Sequence, residues 1–307
     1  MASLNFIQKT LEGDGSASLE QEDKYLKELE EENGRLRELA ANVVLNFKCI
    51  KQSWPLLAEH GLPMNSQTPV PSLDLRKRIM GVAADNDIEG NHFLSKGLSD
   101  LGVIKTIYET YAGRGKFEEA CVLDWGVGCG RMIRHLPTSV HQKAFGADVD
   151  PKGINWCREK MGFGRYEILK PSTKMEILDD SFDLIYSHSV LTHLGEEEQF
   201  FWLQELNRVS RGVMILSVHG LYSAACIAGW AQIPNVLADW FKSGFKDSQI
   251  PNSDINDVVS EGYYRDVAHT PQYIYDNWSR YLHVVDIIPG GFGILHDAII
   301  CRPLRTP

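Results

Sequence analysis

From Ala120 to Val218, short runs of β-branched and apolar residues alternate with helical stretches, and this alternation restricts the fold more than any other feature of the chain. Ala120–Trp125, Ala144–Val149, Phe182–Ser187 and Val213–Val218 read as strands, with Arg131–Leu136, Gly153–Met161 and Glu196–Val209 as the helices between them. Strands that follow one another through helices must run parallel, because each parallel neighbour requires a crossover, and the helices then cover both sheet faces. Two later runs, His283–Ile288 and His296–Cys301, are separated only by a turn containing Pro289-Gly290-Gly291-Phe292-Gly293, which predicts an antiparallel hairpin.

The segments around this core differ in character. Residues 1–18 carry Gly, Ser and polar residues without periodicity and read as a flexible tail. From Leu19 a heptad appears, with Leu19, Leu26, Asn33, Ala40 and Phe47 at a and Glu22, Leu29, Leu36, Val43 and Ile50 at d. Two readings stand: an amphipathic helix folded onto its own domain, or a homodimerisation arm whose register Asn33 fixes. Four prolines between Trp54 and Pro71 break regular structure, and a second helix is expected over Ser95–Tyr111 before the Gly113–Gly115 turn. The domain plan is therefore a tail (1–18), an N-terminal helical region (19–115), a core (116–220), a Trp- and Tyr-bearing insertion expected to cover a substrate (221–281) and a closing hairpin (282–307).

Chemistry is concentrated in Val122-Leu123-Asp124-Trp125-Gly126-Val127-Gly128-Cys129-Gly130-Arg131. A buried strand runs into a turn with glycine at alternate positions, so the backbone turns tightly and a ligand can approach without a Cβ in its way. The spacing is GxGxG, not the GxGxxG of dinucleotide folds, and Asp124 would repel a pyrophosphate while suiting a cationic ligand. Asp148, in Phe145-Gly146-Ala147-Asp148-Val149-Asp150-Pro151, falls at the tip of the next strand, where a carboxylate takes both ribose hydroxyls. Asp150 before Pro151 is the better helix cap.

With Ser181-Phe182-Asp183-Leu184-Ile185-Tyr186-Ser187-His188-Ser189-Val190-Leu191-Thr192-His193-Leu194 added, the chain resembles a class I S-adenosylmethionine-dependent methyltransferase of the bacterial small-molecule type. VLDWGVGCGR resembles the family's glycine motif, GADVDP its ribose motif, and SFDLIYSHSVLTHL the strand passing under the cofactor; together with ELNRVSRGVMILSV they span about residues 118–220. Arg211-Gly212 departs from the Pro-Gly-Gly turn common before the fifth strand. The resemblance implies a Rossmann-like, seven-stranded, mostly parallel α/β sheet with an antiparallel final strand, N-terminal helices and a helical cap insertion. It also implies S-adenosyl-L-methionine as cofactor, with Gly126, Gly128 and Gly130 along its methionine and ribose, Asp148 on the ribose diol, and the Ser187 carbonyl on its amino group. Arg131 either meets the cofactor carboxylate or is a surface residue at the helix start. Adenine contacts are expected from Ile168 to Thr173.

The acceptor is less determined. A hydroxyl acceptor benefits from a base, and His188, His193 and His269 are candidates because imidazole titrates near neutrality. His193, after the fourth strand, is the first choice, against the reading that it caps or packs. A thioether such as methionine, or a tertiary amine, needs no base and suits an aromatic, acidic pocket, for which Trp240, Tyr263, Tyr264 and Trp278 are available. Arg265, in a loop that resembles one in bacterial small-molecule and sugar methyltransferases, is a candidate for an acceptor carboxylate. A non-catalytic, cofactor-binding dimeric partner is the remaining alternative. No metal is required for transfer from a sulfonium.

Charge narrows the partners. Lys and Arg total 31 against 41 Asp and Glu, a formal charge of −10, which argues against nucleic-acid binding. Seven acids and two bases between Glu20 and Glu32 supply half of that excess. No apolar run approaches the ~20 residues that span a bilayer, and the start lacks the pattern of a secretory signal, so a cytoplasmic protein is expected. Six dispersed cysteines without a CxxC pair argue against a zinc finger or a redox dithiol.

Overall fold

The computed structural model describes residues 27, 67–85, 87–220, 243–251, 255, 257–260, 262–292 and 296–305. The chain divides into two compact units, Met1–Ile50 and Lys51–Pro307, and all described residues but Lys27 belong to the second. The expectations for the tail, the heptad helix and its dimerisation, and for Trp240, lie outside the described residues.

The second unit is built on a seven-stranded sheet of order β3-β2-β1-β4-β5-β9-β8. Its strands are β1 (Val122–Trp125), β2 (Ala144–Asp148), β3 (Arg165–Ile168), β4 (Phe182–Ser187), β5 (Ser210–Val218), β8 (Leu282–Ile288) and β9 (Asp297–Pro303). The first five pair in parallel, and β9 runs antiparallel to both β5 and β8. The expected α/β fold with an antiparallel final strand is therefore what the chain adopts. Strand β3 carried no sequence signal, because its Arg-Tyr-Glu-Ile run lies at the sheet edge with only Tyr166 buried.

Helices cover both faces. On one side α1 (Leu73–Met80) precedes α2 (Asn91–Tyr111), and α3 (Pro151–Lys160) follows β2. Leu101, Ile104, Ile107 and Tyr108 of α2 and Ile154 and Cys157 of α3 share a core with Val122, Leu184, Tyr186 and Ile215. On the other side α4 (Glu196–Val209) and α5 (Pro271–Trp278) bring Trp202, Leu203, Leu206, Ile274 and Trp278 against Leu123, Trp125, Ile185 and Leu216. This two-sided burial follows from βαβ connections and makes the strands read as near-continuous apolar runs.

Local boundaries have local causes. Helix α2 starts one turn earlier than expected because the Asp87 carboxylate accepts from the backbone N–H of His92 and of Phe93, each at 2.9 Å. Asp150 caps α3 through Lys152 N at 3.0 Å, with Pro151 in the first turn. The helix expected over Arg131–Leu136 is only a 3-10 turn, Ile133–His135. Residues 132–136 are buried on every side and Pro137 stops further winding. The insertion, expected to be helical, contains among its described residues a two-stranded antiparallel ribbon, β6 (Phe245–Pro251) with β7 (Arg265–His269), followed by α5.

Candidate active site

A cavity of about 450 Å³ opens over the carboxyl ends of β1, β2 and β4, beside the point where the strand order reverses. Ligands of open α/β sheets lie at this place because the turns there expose backbone and side chains to one crevice. The cavity is lined by Gly126 and Gly128 after β1, Asp148 and Val149 at the end of β2, and His188, Ser189, Val190 and His193 after β4. His219, which follows β5, and His296, which enters β9, also line it. Because β9 is antiparallel, its first residue, Asp297, pairs with Val218 at the end of β5 and brings His296 to the same edge.

The glycine loop is closed from above and from the side. Gly126 has φ +87° and Gly128 φ +53°; a Cβ on the first would lie 2.1 Å from Val190 Cγ2, and on the second 2.6 Å from Ile79 Cγ2 of α1. Gly128 N donates to Asp148 Oδ2 at 2.7 Å, and Asp150 N to Asp148 Oδ1 at 2.8 Å. Burial pushes the Asp148 carboxyl up to about 6, against these two N–H donors that lower it. Each carboxylate oxygen keeps a second lone-pair site for a ligand hydroxyl.

At one end three side chains converge on Asp100 of α2. Lys96 pairs with its Oδ1, Arg131 Nη1 lies 2.5 Å and His188 Nε2 3.5 Å from its Oδ2. A Cβ on Gly97 would meet the Arg131 carbonyl at 2.0 Å, so α2 lies directly on the loop that carries Arg131. Burial, then Arg131 and Lys96, hold His188 well below the ordinary imidazole range. With His188 neutral, two cations face one acid, and the set suits a ligand carboxylate. Apolar Val149 and Leu169 line the wall beyond Asp148.

The other end is rich in imidazoles. His193 stacks on Tyr264 at 4.2 Å and its Nδ1 lies 3.0 Å from Asp266 Oδ1. His219 places Nδ1 3.2 Å from Val267 O, and burial pushes its pKa down to about 4. Strand β7 holds this end together, since Arg265 N donates to His193 O, Val267 N to Thr192 O, and His269 N to His219 O. Among the described residues no three His, Cys, Asp or Glu side chains form a group able to hold a metal ion. No described helix is long and apolar enough to cross a membrane.

Of the residues singled out in the sequence, Gly126, Gly128, Arg131, Asp148, His188, His193, Tyr263 and Tyr264 line this cavity. Five do not. Asp124 is 0% exposed because its side chain points from the central strand into the α2 and α3 side of the sheet, and burial pushes its carboxyl up to about 7. Ser187 is likewise 0% exposed within β4, and Gly130 packs under Met161 and Cys157 instead of facing the cavity. His269 is 0% exposed among Phe245, Tyr273 and Trp278, with Nε2 2.9 Å from Gln199 Oε1; burial holds it near 3, which removes it as a base. Arg265 turns its guanidinium to Asp247, with Nε 3.0 Å from Oδ2. The residues the motifs missed are Lys96, Ser189, His219, Asp266 and His296. The strand-end rule could have found His219 and, once β9 is recognised as antiparallel, His296.

The donor set fits S-adenosylmethionine: an acid for a diol, apolar walls for a purine, cations for a carboxylate, and a glycine turn that brings backbone close. Residues 122–212 match the family described as "Methyltransferase domain". Similar solved structures include a TehB-like S-adenosylmethionine-dependent methyltransferase from Corynebacterium glutamicum, at 16% identity and TM-score 0.44, covering 76% of this chain and 98% of that one. A 1,6-didemethyltoxoflavin-N1-methyltransferase from Burkholderia thailandensis is similar at 12% identity and TM-score 0.46, covering 79% and 98%. A S-adenosylmethionine-dependent methyltransferase from Methanosarcina mazei is similar at 18% identity and TM-score 0.45, covering 65% and 98%. The segment from Val122 to Gly212, with its glycine turn and its acid at the tip of β2, is a class I methyltransferase domain, and the chain is an enzyme that takes its methyl group from S-adenosylmethionine.

Proposed function

We propose that the enzyme methylates a hydroxyl group of a small polar molecule, with His193 as the general base. The observation that carries this reading is the ion-pair contact of His193 with Asp266 at the acceptor end: a carboxylate 3.0 Å from Nδ1 favours the proton on that nitrogen and leaves the Nε2 lone pair, on the Ser189 side of the ring, to take another. A thioether or tertiary amine acceptor would have no use for such a pair.

In this assignment Asp148 binds the ribose hydroxyls, Val149 and Leu169 flank the base, Lys96 and Arg131 meet the carboxylate, and Gly126 and Gly128 admit the methionine chain. The cofactor, when bound, supplies a methyl group on a sulfonium, so the protein's task is to align the acceptor and exclude water. Tyr264, stacked on His193, closes the acceptor side with His219, whose neutral ring keeps added positive charge away from the sulfonium. Residues 116–220, α5 and the closing hairpin form the catalytic body, and Ile255, Tyr263 and Tyr264 of the insertion cover the acceptor.

A labelled methyl-transfer screen over sugars and phenols, with methionine as the thioether case, tests the reading. A sugar or phenol should be labelled, and His193→Ala should lower its turnover at least about tenfold, in line with general-base contributions of roughly 10²–10⁴. Labelling of methionine alone, or an unchanged rate with a proven hydroxyl acceptor, would overturn it.

A further inference from the structure

Ser189 has φ +63°, a left-handed conformation costly for a residue with a Cβ and free for glycine. It sits in the cavity wall two residues past β4, tied down by its own backbone N–H, which donates to Ser217 Oγ of β5 at 2.7 Å. A serine in a conformation that glycine would adopt without strain points to a use for its hydroxyl. That hydroxyl is a hub: Oγ lies 3.0 Å from Thr192 Oγ1, 3.3 Å from His193 Nε2 and 3.2 Å from His296 Nε2.

The charge of Asp266 selects one arrangement of the protons in this hub. The Asp266 carboxylate lies 3.0 Å from Nδ1, outside hydrogen-bond alignment, and would repel a lone pair there, so the proton of neutral His193 sits on Nδ1 and Nε2 carries the lone pair. Ser189 has a single proton to give, and it goes to His193 Nε2. The other two partners must then donate to Ser189: Thr192 through its hydroxyl and His296 through Nε2–H. Burial keeps His296 neutral, so it has one N–H, and that one points at Ser189. The chain runs in one direction, from the cavity through Ser189 and His193 to Asp266, whose side chain is 58% exposed to water.

We propose that Ser189 is a catalytic relay, passing the proton of an acceptor hydroxyl to His193, and that Asp266 is the positioning residue that sets the relay's direction. This deepens, and depends on, the reading of His193 as base for a hydroxyl acceptor. The acceptor hydroxyl takes the place of one donor on Ser189 Oγ. As its O–CH3 bond forms and the S–CH3 bond breaks, its proton moves to Ser189 Oγ, and the proton Ser189 already held moves to His193 Nε2. The positive charge lost by the sulfonium reappears as imidazolium beside the Asp266 carboxylate, from which a proton leaves to water. Charge and atoms balance without a further reactant.

The test uses the full chain and two variants. Nitrogen-15 spectra of the histidine rings, recorded with S-adenosylhomocysteine, should show His193 protonated on Nδ1 and His296 on Nε2, and Asp266→Ala should move the His193 proton off Nδ1. Ser189→Gly relieves the backbone, which offsets the loss of the partner of His296 and Thr192, and cuts the relay, so it should leave the melting temperature nearly unchanged while lowering kcat at least tenfold at unchanged KM, measured with the best sugar or phenol of the screen. A serine that merely holds the loop would lower both. His193 found protonated on Nε2 in the wild type, or Ser189→Gly retaining kcat within twofold, would overturn the relay. If Ser189→Gly and Asp266→Ala keep kcat while His193→Ala loses it, the relay falls and the base stands; if His193→Ala keeps it, the base falls and the relay with it.

Discussion

The cofactor end and the acceptor end of the cavity are built differently. Gly126, Gly128, Asp148 and Val149 follow directly from neighbouring parallel strands, within 24 residues of sequence, and their geometry is set by backbone. His193, His219, Tyr264, Asp266 and His296 come from four separate segments, and the Ser189–His296 contact alone spans 107 residues. The first end is held by the sheet, the second by side chains and the ribbon β6–β7. Backbone-built sites leave little room for variation, whereas sites assembled from loops on a rigid scaffold can change chemistry without changing fold.

Breaking the cofactor end should therefore have the largest effect. Gly126→Val places a β-branched residue at φ +87° with its Cβ 2.1 Å from Val190 Cγ2. Backbone strain of about 1–3 kcal/mol and overpacking of about 1–3 kcal/mol add up to about 2–6 kcal/mol, at least about a thirtyfold loss of affinity where the loop bears it. Titration calorimetry with S-adenosylhomocysteine, on a variant whose circular dichroism is unchanged, should find that loss. Affinity within threefold of wild type would mean that Val190 yields and the loop is not the rigid half of the pair.

The converse experiment separates the ends. His193→Ala should leave S-adenosylhomocysteine affinity within about twofold, while methyl transfer to a hydroxyl falls at least about tenfold. A matching loss of cofactor affinity would make the two ends one unit.

The same contrast explains what could be read in advance. Strands β1, β2 and β4 announce themselves because both their faces are covered, which leaves largely apolar runs, ending before Gly126, at Asp148 and at Ser187. Asp124 was placed in the site from its position before the glycines, but side chains alternate along a strand and this one points into the core. His269 looked like a candidate base because sequence does not reveal that three aromatic rings enclose it. His219 and His296 were missed for the opposite reason: no local motif marks them, and only the β5–β9 pairing makes them neighbours.

The two ends also respond to pH with opposite sign. Asp148 and, beneath the glycine loop, Asp124 have folded pKa values raised to about 6 and about 7, so their contribution to stability is full below the ordinary carboxylate value of 3.8 and is lost as pH rises through 6 to 7. His219 is depressed to about 4, so its contribution is present above 6.5 and is lost as pH falls through 4. Asp124→Asn removes the first effect at one position. Relative to wild type, the variant should gain about 1–3 kcal/mol between pH 5 and pH 8 in denaturant unfolding without cofactor. No differential gain would place Asp124 in a more polar setting than its burial indicates.

The smallest effect tests the boundary between the ends. Tyr263 lines the cavity, yet its hydroxyl donates to Glu198 Oε1 at 2.8 Å, and burial together with Glu198 holds the phenol well above its ordinary range. Glu198 Oε1 also accepts from Trp202 Nε1 at 2.8 Å and from Ser172 N at 2.9 Å, so removing the phenol leaves no orphaned carboxylate. Tyr263→Phe should therefore cost about 0.5–1.5 kcal/mol of stability and change turnover less than twofold. Its ring forms the wall and its hydroxyl faces the protein. A tenfold loss of turnover would require that hydroxyl to leave Glu198 for the acceptor, and the acceptor end would then include the start of α4 as well as the loops that close over it.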